Sequence, residues 1–332
     1  MRWTLHGLTI AGETRDARLQ AHWQRSFASA PGGAHVGAPD VLFELSLVPN
    51  VPAPPSGAPD FQQDDLLRYY LEGRTAVAHF PRFGQLRLDL ENGTTEGRIV
   101  PATLTTYGVF EDLVAIGLSP HLRRRGMFLI HAFAAACSPH RHASGSSDQR
   151  EGGATLLVGG IGSGKTTTGL SLLEAGWRLL SNDSPLINAA ADVLSYPGLL
   201  AAYPDTLARF EATASLSATA SPAEKGRAKI AIAAESIWPE IWIDRVQAGA
   251  IFFPHIEARA DHRLEPISPP DALRRLLPHA VEQWDRDMIP EHLRVLRRLV
   301  EFAPAFVLRL GPHLPSIPPL LLEAVRRPLS SE

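Results

Sequence analysis

The sequence predicts a mixed α/β protein, with a smaller β-rich module over residues 1–125 and a larger domain of strands and helices over residues 126–332. Three observations point to this fold class. Between Leu67 and Val100, short runs of alternating apolar and polar residues are separated by the turn pairs Glu72-Gly73 and Asn92-Gly93, the pattern of an antiparallel meander. The apolar run Ala154-Thr155-Leu156-Leu157-Val158 leads directly into a glycine-rich turn and then into a helix-forming stretch. Further along, strand-like apolar runs are interleaved with amphipathic helical stretches.

Composition sets the outer bounds. The 332 residues, 45% of them hydrophobic, suffice for one large or two ordinary cores. A net charge of −3 and a pI near 6.5 give no basic field to attract nucleic acid. The single cysteine, Cys137, excludes an internal disulfide framework and fits a reducing, cytoplasmic setting. Met1-Arg2-Trp3-Thr4-Leu5-His6 lacks the apolar stretch of a secretory signal, and the run Met127–Cys137 is too short for a membrane span. No nucleic-acid or membrane partner is expected, and a homo-oligomer is left open.

In the first module, Val41–Leu47 has the pattern of a strand with one buried face, and residues 49–59, crowded with proline and glycine, form a surface loop. The meander follows as Arg68–Leu71, Thr75–Phe80, Gln85–Leu90 and Gly97–Val100. His6, His22, His35 and His79 are isolated and are expected to be surface or packing residues. Val109–Leu122 is helical, with breaks expected near Gly117 and Pro120. Arg123-Arg124-Arg125 is expected to be its solvated, dipole-compensating end.

The second domain opens with a buried strand, Phe128–Ala134, that carries His131. A polar loop from Ser138 to Gly153 follows; its His140 and His142 lack the further ligands a metal site needs. Then comes Gly159-Gly160-Ile161-Gly162-Ser163-Gly164-Lys165-Thr166, which fits the phosphate-loop pattern G-x-x-x-x-G-K-[ST] at every fixed position. The chemistry requires these residues. Glycines let backbone N–H groups close on a polyphosphate, the following helix points its N-terminus at the anion, and lysine adds a mobile cation. Thr166 offers a hydroxyl to Mg²⁺, and Thr167 begins the helix that Gly176 should end. From Lys165 a helix of about 11 residues runs roughly 16 Å outward. The strand Trp177–Ser181 returns about as far, bringing Asn182 and Asp183 beside Lys165 and Thr166. A carboxylate at that point is placed to act as a magnesium ligand.

After Asp183 a hairpin is expected from Ser184–Ile187 and Asp192–Tyr196, then a helix over Pro204–Ala212. The basic loop Ser221–Lys229 either reaches phosphates or stays solvated, and it leads into Ile230–Ile232. Ala248–Pro254 is a buried strand ended by its proline. Helices over Asp271–Leu277, His292–Phe302 and Leu320–Val325, with a strand Phe306–Leu310, complete the chain.

The strand with His131, the second strand, the phosphate loop, the short helix ending in Ala-Gly-Trp and the run Leu179-Leu180-Ser181-Asn182-Asp183 together resemble the HPr kinase/phosphorylase family. The resemblance spans roughly residues 127–325 and is most specific from Gly159 to Asp183, where the second acid lies only 18 positions after the loop lysine. It implies a phosphoenolpyruvate-carboxykinase-like nucleotide fold, ATP and Mg²⁺, and phosphoryl transfer to a serine-type hydroxyl of a protein or peptide. By position, Gly159 to Thr167 would hold the phosphates, with Thr166 and Asp183 on the metal. Asp183, His131 and Asn182 would form the catalytic set. Asn182 stands where the family pattern has its first acid, the proton acceptor, and an amide accepts no proton at neutral pH. Transfer with the base moved to Asp183 or His131, action on a small molecule, or a nucleotide-binding sensor without catalysis therefore all stay open.

Overall fold

The computed structural model describes residues 1–27, 37–137, 153–218, 229–257, 261–280 and 282–326. It is a mixed α/β structure that divides into two compact units, Met1–Gly126 with Glu282–Ile289, and Met127–Val281 with Pro290–Glu332. His35, His140, His142 and residues 221–228 lie outside the described residues.

The first unit contains β1 (Arg2–Leu5), β2 (Leu8–Glu13), β3 (Val41–Leu47), β4 (Phe61–Gln63), β5 (Leu67–Glu72), β6 (Thr75–Phe80), β7 (Gly84–Asp89) and β8 (Thr94–Ile99). They form one sheet in the order β1-β2-β3-β8-β7-β6-β5-β4. The meander β5 to β8 is antiparallel throughout, as its alternation and turn pairs predict, whereas β3 lies parallel to both β2 and β8. The opening β1–β2 hairpin and the helix Ala17–Ser26, capped by the Asp16 carboxylate, have no counterpart in the sequence expectation. Trp23 of that helix packs its ring 5.4 Å from Phe43 and 5.9 Å from Phe110. Gly12 permits this packing, since a Cβ there would sit 2.6 Å from the Trp23 ring.

Two expectations for the long helix are corrected. It runs unbroken over Val109–Arg123, through both Gly117 and Pro120. Gly117 lies directly against Phe43, 2.8 Å from where a Cβ would be, so glycine serves close packing here rather than a break. The burial of Phe110, Leu113, Leu118 and Leu122 outweighs the hydrogen bond that Pro120 cannot make. The arginine run is a solvated end only at Arg125, which is exposed. Arg123 is 2% exposed, and its guanidinium donates to Asp285 at 2.8 and 3.0 Å and pairs with Glu282 at 2.7 Å. Arg124 adds a second cation on Asp285 at 2.9 Å. Trp284, from the same returning segment, stacks on Tyr69 at 4.4 Å and lies under the Arg123 guanidinium.

The second unit contains β9 (Phe128–Leu129), β10 (Ala132–Ala136), β11 (Ala154–Val158), β12 (Arg178–Ser181), β13 (Leu186–Ile187), β14 (Asp192–Leu194), β15 (Leu200–Ala202), β16 (Ile230–Ile232), β17 (Arg245–Ile256), β18 (Arg263–Ile267) and β19 (Ala305–Leu310). The main sheet runs β12-β10-β11-β17-β14-β13-β9, with β19 on β17 and β18 on β19, and β15 and β16 form a separate two-stranded sheet. The strands β11, β17 and β19 are parallel neighbours, and the other pairs are antiparallel. Helices Lys165–Glu174 and Ile317–Arg326 bury Leu170, Leu173 and Leu321 in a core with Phe133, Leu157 and Phe252.

The predicted single strand Phe128–Ala134 is two strands, because the chain leaves β13 and crosses to β11 at Ile130-His131. Pro254 does not end β17. The Ile251 amide donates to Pro304, on the β19 side, so by alternation Pro254 faces the side where β11 has already turned away and no rung is lost. The helix expected over 204–212 is one turn, Pro204–Leu207. The strand β18 has no counterpart in the sequence expectation. No helix among the described residues is long and apolar enough to cross a membrane.

Candidate functional site

The glycine-rich turn leaves β11 at Val158 and enters the helix at Lys165. Gly162 (φ +81°) and Gly164 (φ +101°) occupy the left-handed region, where a side chain would be strained. A Cβ at Gly159 would fall 2.8 Å from the Ser163 hydroxyl, so the loop closes on itself only with glycine there. Ile161 stands at its tip, 97% exposed. Gly160 has open space around it, Thr166 and Thr167 are half-buried at the start of the helix, and Thr168 is buried behind them.

Lys165 is 8% exposed, and its ammonium donates to the carbonyl oxygens of Gly159 and, at 3.2 Å, of Gly160. It also lies 3.3 Å from His131 Nε2. The other His131 ring nitrogen, Nδ1, lies 3.3 Å from the Asp183 carboxylate. An ammonium only donates and a carboxylate only accepts, so His131 carries its hydrogen on Nδ1 and presents a lone pair from Nε2. Three distant stretches of sequence thereby form one chain of contacts, Lys165 to His131 to Asp183.

The break between β9 and β10 makes this possible. Across it, the Ile130, His131 and Ala132 amides donate to the carbonyls of Pro185 (3.0 Å), His279 (2.7 Å) and Asp183 (3.0 Å). The crossing backbone is pinned to the end of β12 on one side and to the turn at His279 on the other. The sequence puts Asp183 beside Lys165 and Thr166; in the structure its carboxylate contacts His131, and His131 in turn contacts Lys165. The neighbouring Asn182 keeps its side-chain oxygen buried without a partner among the described residues.

Electrostatics follow from this packing. Burial lowers the His131 pKa, Lys165 and Lys229 lower it further, and Asp183 opposes them. Burial and Lys229 likewise hold the Lys165 ammonium below its ordinary value, against Asp183. Lys229, the described member of the basic loop, thus acts on the cluster electrostatically, with its own ammonium 5.8 Å from the Tyr203 ring centre. His279, which sequence reasoning did not single out, stacks its ring 6.2 Å from that of His131. Nothing in Leu277-Pro278-His279 marks it; only the fold brings it here.

A cleft of about 360 Å³ adjoins the loop and is lined in part by Gly164, Thr168, Ile256, Glu257, Leu310 and Leu314. A larger cavity of about 990 Å³ belongs to the first unit and has a polar wall that includes Glu44, Glu96 and Arg98; it contains none of the site residues. Among the described residues no three His, Cys, Asp or Glu side chains cluster as metal ligands. No protein-family model matches the chain, and no curated protein matches it.

Proposed function

We propose that this chain is an ATP- and Mg²⁺-dependent kinase of the HPr kinase type, built on a phosphoenolpyruvate-carboxykinase-like domain. It would transfer the γ-phosphoryl group to a serine-type hydroxyl of a protein or peptide. The observation that supports this best is the chain of contacts from Lys165 through His131 to Asp183 beside a glycine loop with room for an anion. The residues fit the implied groups. Positive-φ glycines leave the loop amides free of side-chain bulk, and Ser163 Oγ and Asn182 Oδ1 are buried without partners among the described residues.

In this reading the loop amides and Lys165 bind the phosphates, Thr166 and Asp183 hold the metal, and the adjoining cleft receives the nucleoside. Bound Mg²⁺ supplies neutralising charge to the β- and γ-phosphate oxygens. Lys165 would exchange the Gly159 and Gly160 carbonyls for phosphate oxygens, whose negative charge offsets the cost that burial and Lys229 place on its ammonium. Asp183 fixes the tautomer and orientation of His131, and Asn182 is left to position a hydroxyl by hydrogen bonding.

Incubation of purified protein with labelled ATP, Mg²⁺ and candidate serine peptides tests the proposal; label should move to a serine. Asn182 also favours a second reading, a nucleotide-binding sensor that has lost its first acid. Asn182→Asp separates the two. A rise in transfer of 100-fold or more indicates lost chemistry, and little change indicates that another group serves as base.

A further inference from the structure

Resting on the phosphoryl-transfer reading above, we infer that His279 is a catalytic residue of this site, the group that accepts the proton of the attacking hydroxyl.

The inference begins from what the other side chains are already doing. Asn182 has no basic atom. Lys165 is a cation bonded to Gly159, Gly160 and His131. Asp183 and His131 are engaged with each other, and His131 Nε2 is covered by the lysine. The imidazole of His279 has no hydrogen bond on either nitrogen among the described residues, although its carbonyl is fixed by the His131 amide at 2.7 Å. Its ring lies 28° from parallel with that of His131, the imidazole that touches Lys165, with ring centres 6.2 Å apart. It is half-buried rather than sealed, so a hydroxyl group has access to it. Burial and the nearby Lys165 ammonium lower its pKa, and protonation of the neighbouring His131 would disfavour its own protonation, so the ring stays neutral and able to accept.

In the proposed step the hydroxyl oxygen bonds to the γ-phosphorus as its proton passes to a neutral nitrogen of His279. The bond from that phosphorus to the β,γ-bridging oxygen breaks, and its electron pair leaves with ADP. The imidazolium then gives its proton to water. A loose transition state asks little of the base, so an imidazole in place of the absent first acid is sufficient.

The test uses the full chain with ATP, Mg²⁺ and water as acceptor, and follows both binding of a labelled ATP analogue and ADP release. His279→Gln and His279→Ala should bind the analogue like wild type yet release ADP about 100-fold more slowly. The acid-side limb of the wild-type pH–rate profile should vanish in both, and free imidazole should restore His279→Ala. Retention of rate and acid limb in both variants overturns the role of His279 while the kinase reading stands. Loss of rate together with lowered thermal stability and no imidazole rescue also overturns it, by assigning His279 to packing. A wild-type protein that neither binds the analogue nor releases ADP overturns the kinase reading and this inference together.

Discussion

His121 makes a measurable difference to acid stability. It is 1% exposed inside the first unit, with Nε2 3.3 Å from the Thr95 hydroxyl. Burial lowers its pKa from 6.5 to about 4, and the Arg125 and Arg124 charges add to the effect. Between those two values the unfolded chain binds a proton that the folded chain refuses. The stability His121 permits is therefore fully present above pH 6.5, and it is lost as the pH falls toward 4. At about 1.4 kcal/mol per pH unit, the loss between pH 7 and pH 4.5 comes to about 2.5 kcal/mol. His121→Gln keeps an amide near Thr95 and removes the titration. Urea unfolding of both proteins, followed by tryptophan fluorescence at pH 7, 6, 5 and 4.5, should show the wild type losing that much more stability than the variant over the interval. Other buried histidines, such as His79, contribute equally to both curves and cancel in the difference. Parallel pH dependences for the two proteins would refute the assignment of a neutral buried imidazole.

The remaining expectations concern packing and the loop. Arg123→Met strips the buried partner from Asp285, whose side chain is 4% exposed, and should lower stability by about 3 kcal/mol in chemical denaturation. Arg124→Met, at a 26% exposed position, should lower it by about 1 kcal/mol or less, and equal losses would count against a buried network centred on Arg123. Gly169→Ala drives a Cβ to 2.5 Å from the fully buried Phe133 ring, so thermal unfolding should report a loss of about 1–3 kcal/mol. Lys165→Ala should weaken ATP binding by 100-fold or more in titration calorimetry with little change in melting temperature, because the ammonium is already partly desolvated; unchanged affinity would sink the phosphate-loop assignment.

Much of this protein was legible in the chain because its signals are local. Alternation and turn pairs gave the meander of β5 to β8, and the strand, glycine turn and helix around Lys165 form where the spacing puts them. The return of the chain toward the loop was accessible as well, since helix and strand lengths limit where a short excursion ends, but the partner the structure gives Asp183 is His131. Elements that depend on distant partners were not accessible. The helix through Gly117 and Pro120 survives only because Phe43 and Leu86 are there to receive it. Arg123 is buried only because Glu282–Ile289 returns to the first unit with Asp285.

The sequence by itself determined the glycine-rich turn, because glycines with positive φ, a following helix and a lysine are a covalent arrangement within eight residues. Tertiary structure alone decided what stands beside it. His131 sits at a break between two strands, its amide held by the His279 carbonyl and that of the next residue, Ala132, by the Asp183 carbonyl, and no periodicity in its own segment encodes that break. The physical reason is that a tight glycine turn is set by neighbours in sequence, whereas strand pairing and a side chain's proton affinity and partners are set by neighbours in space.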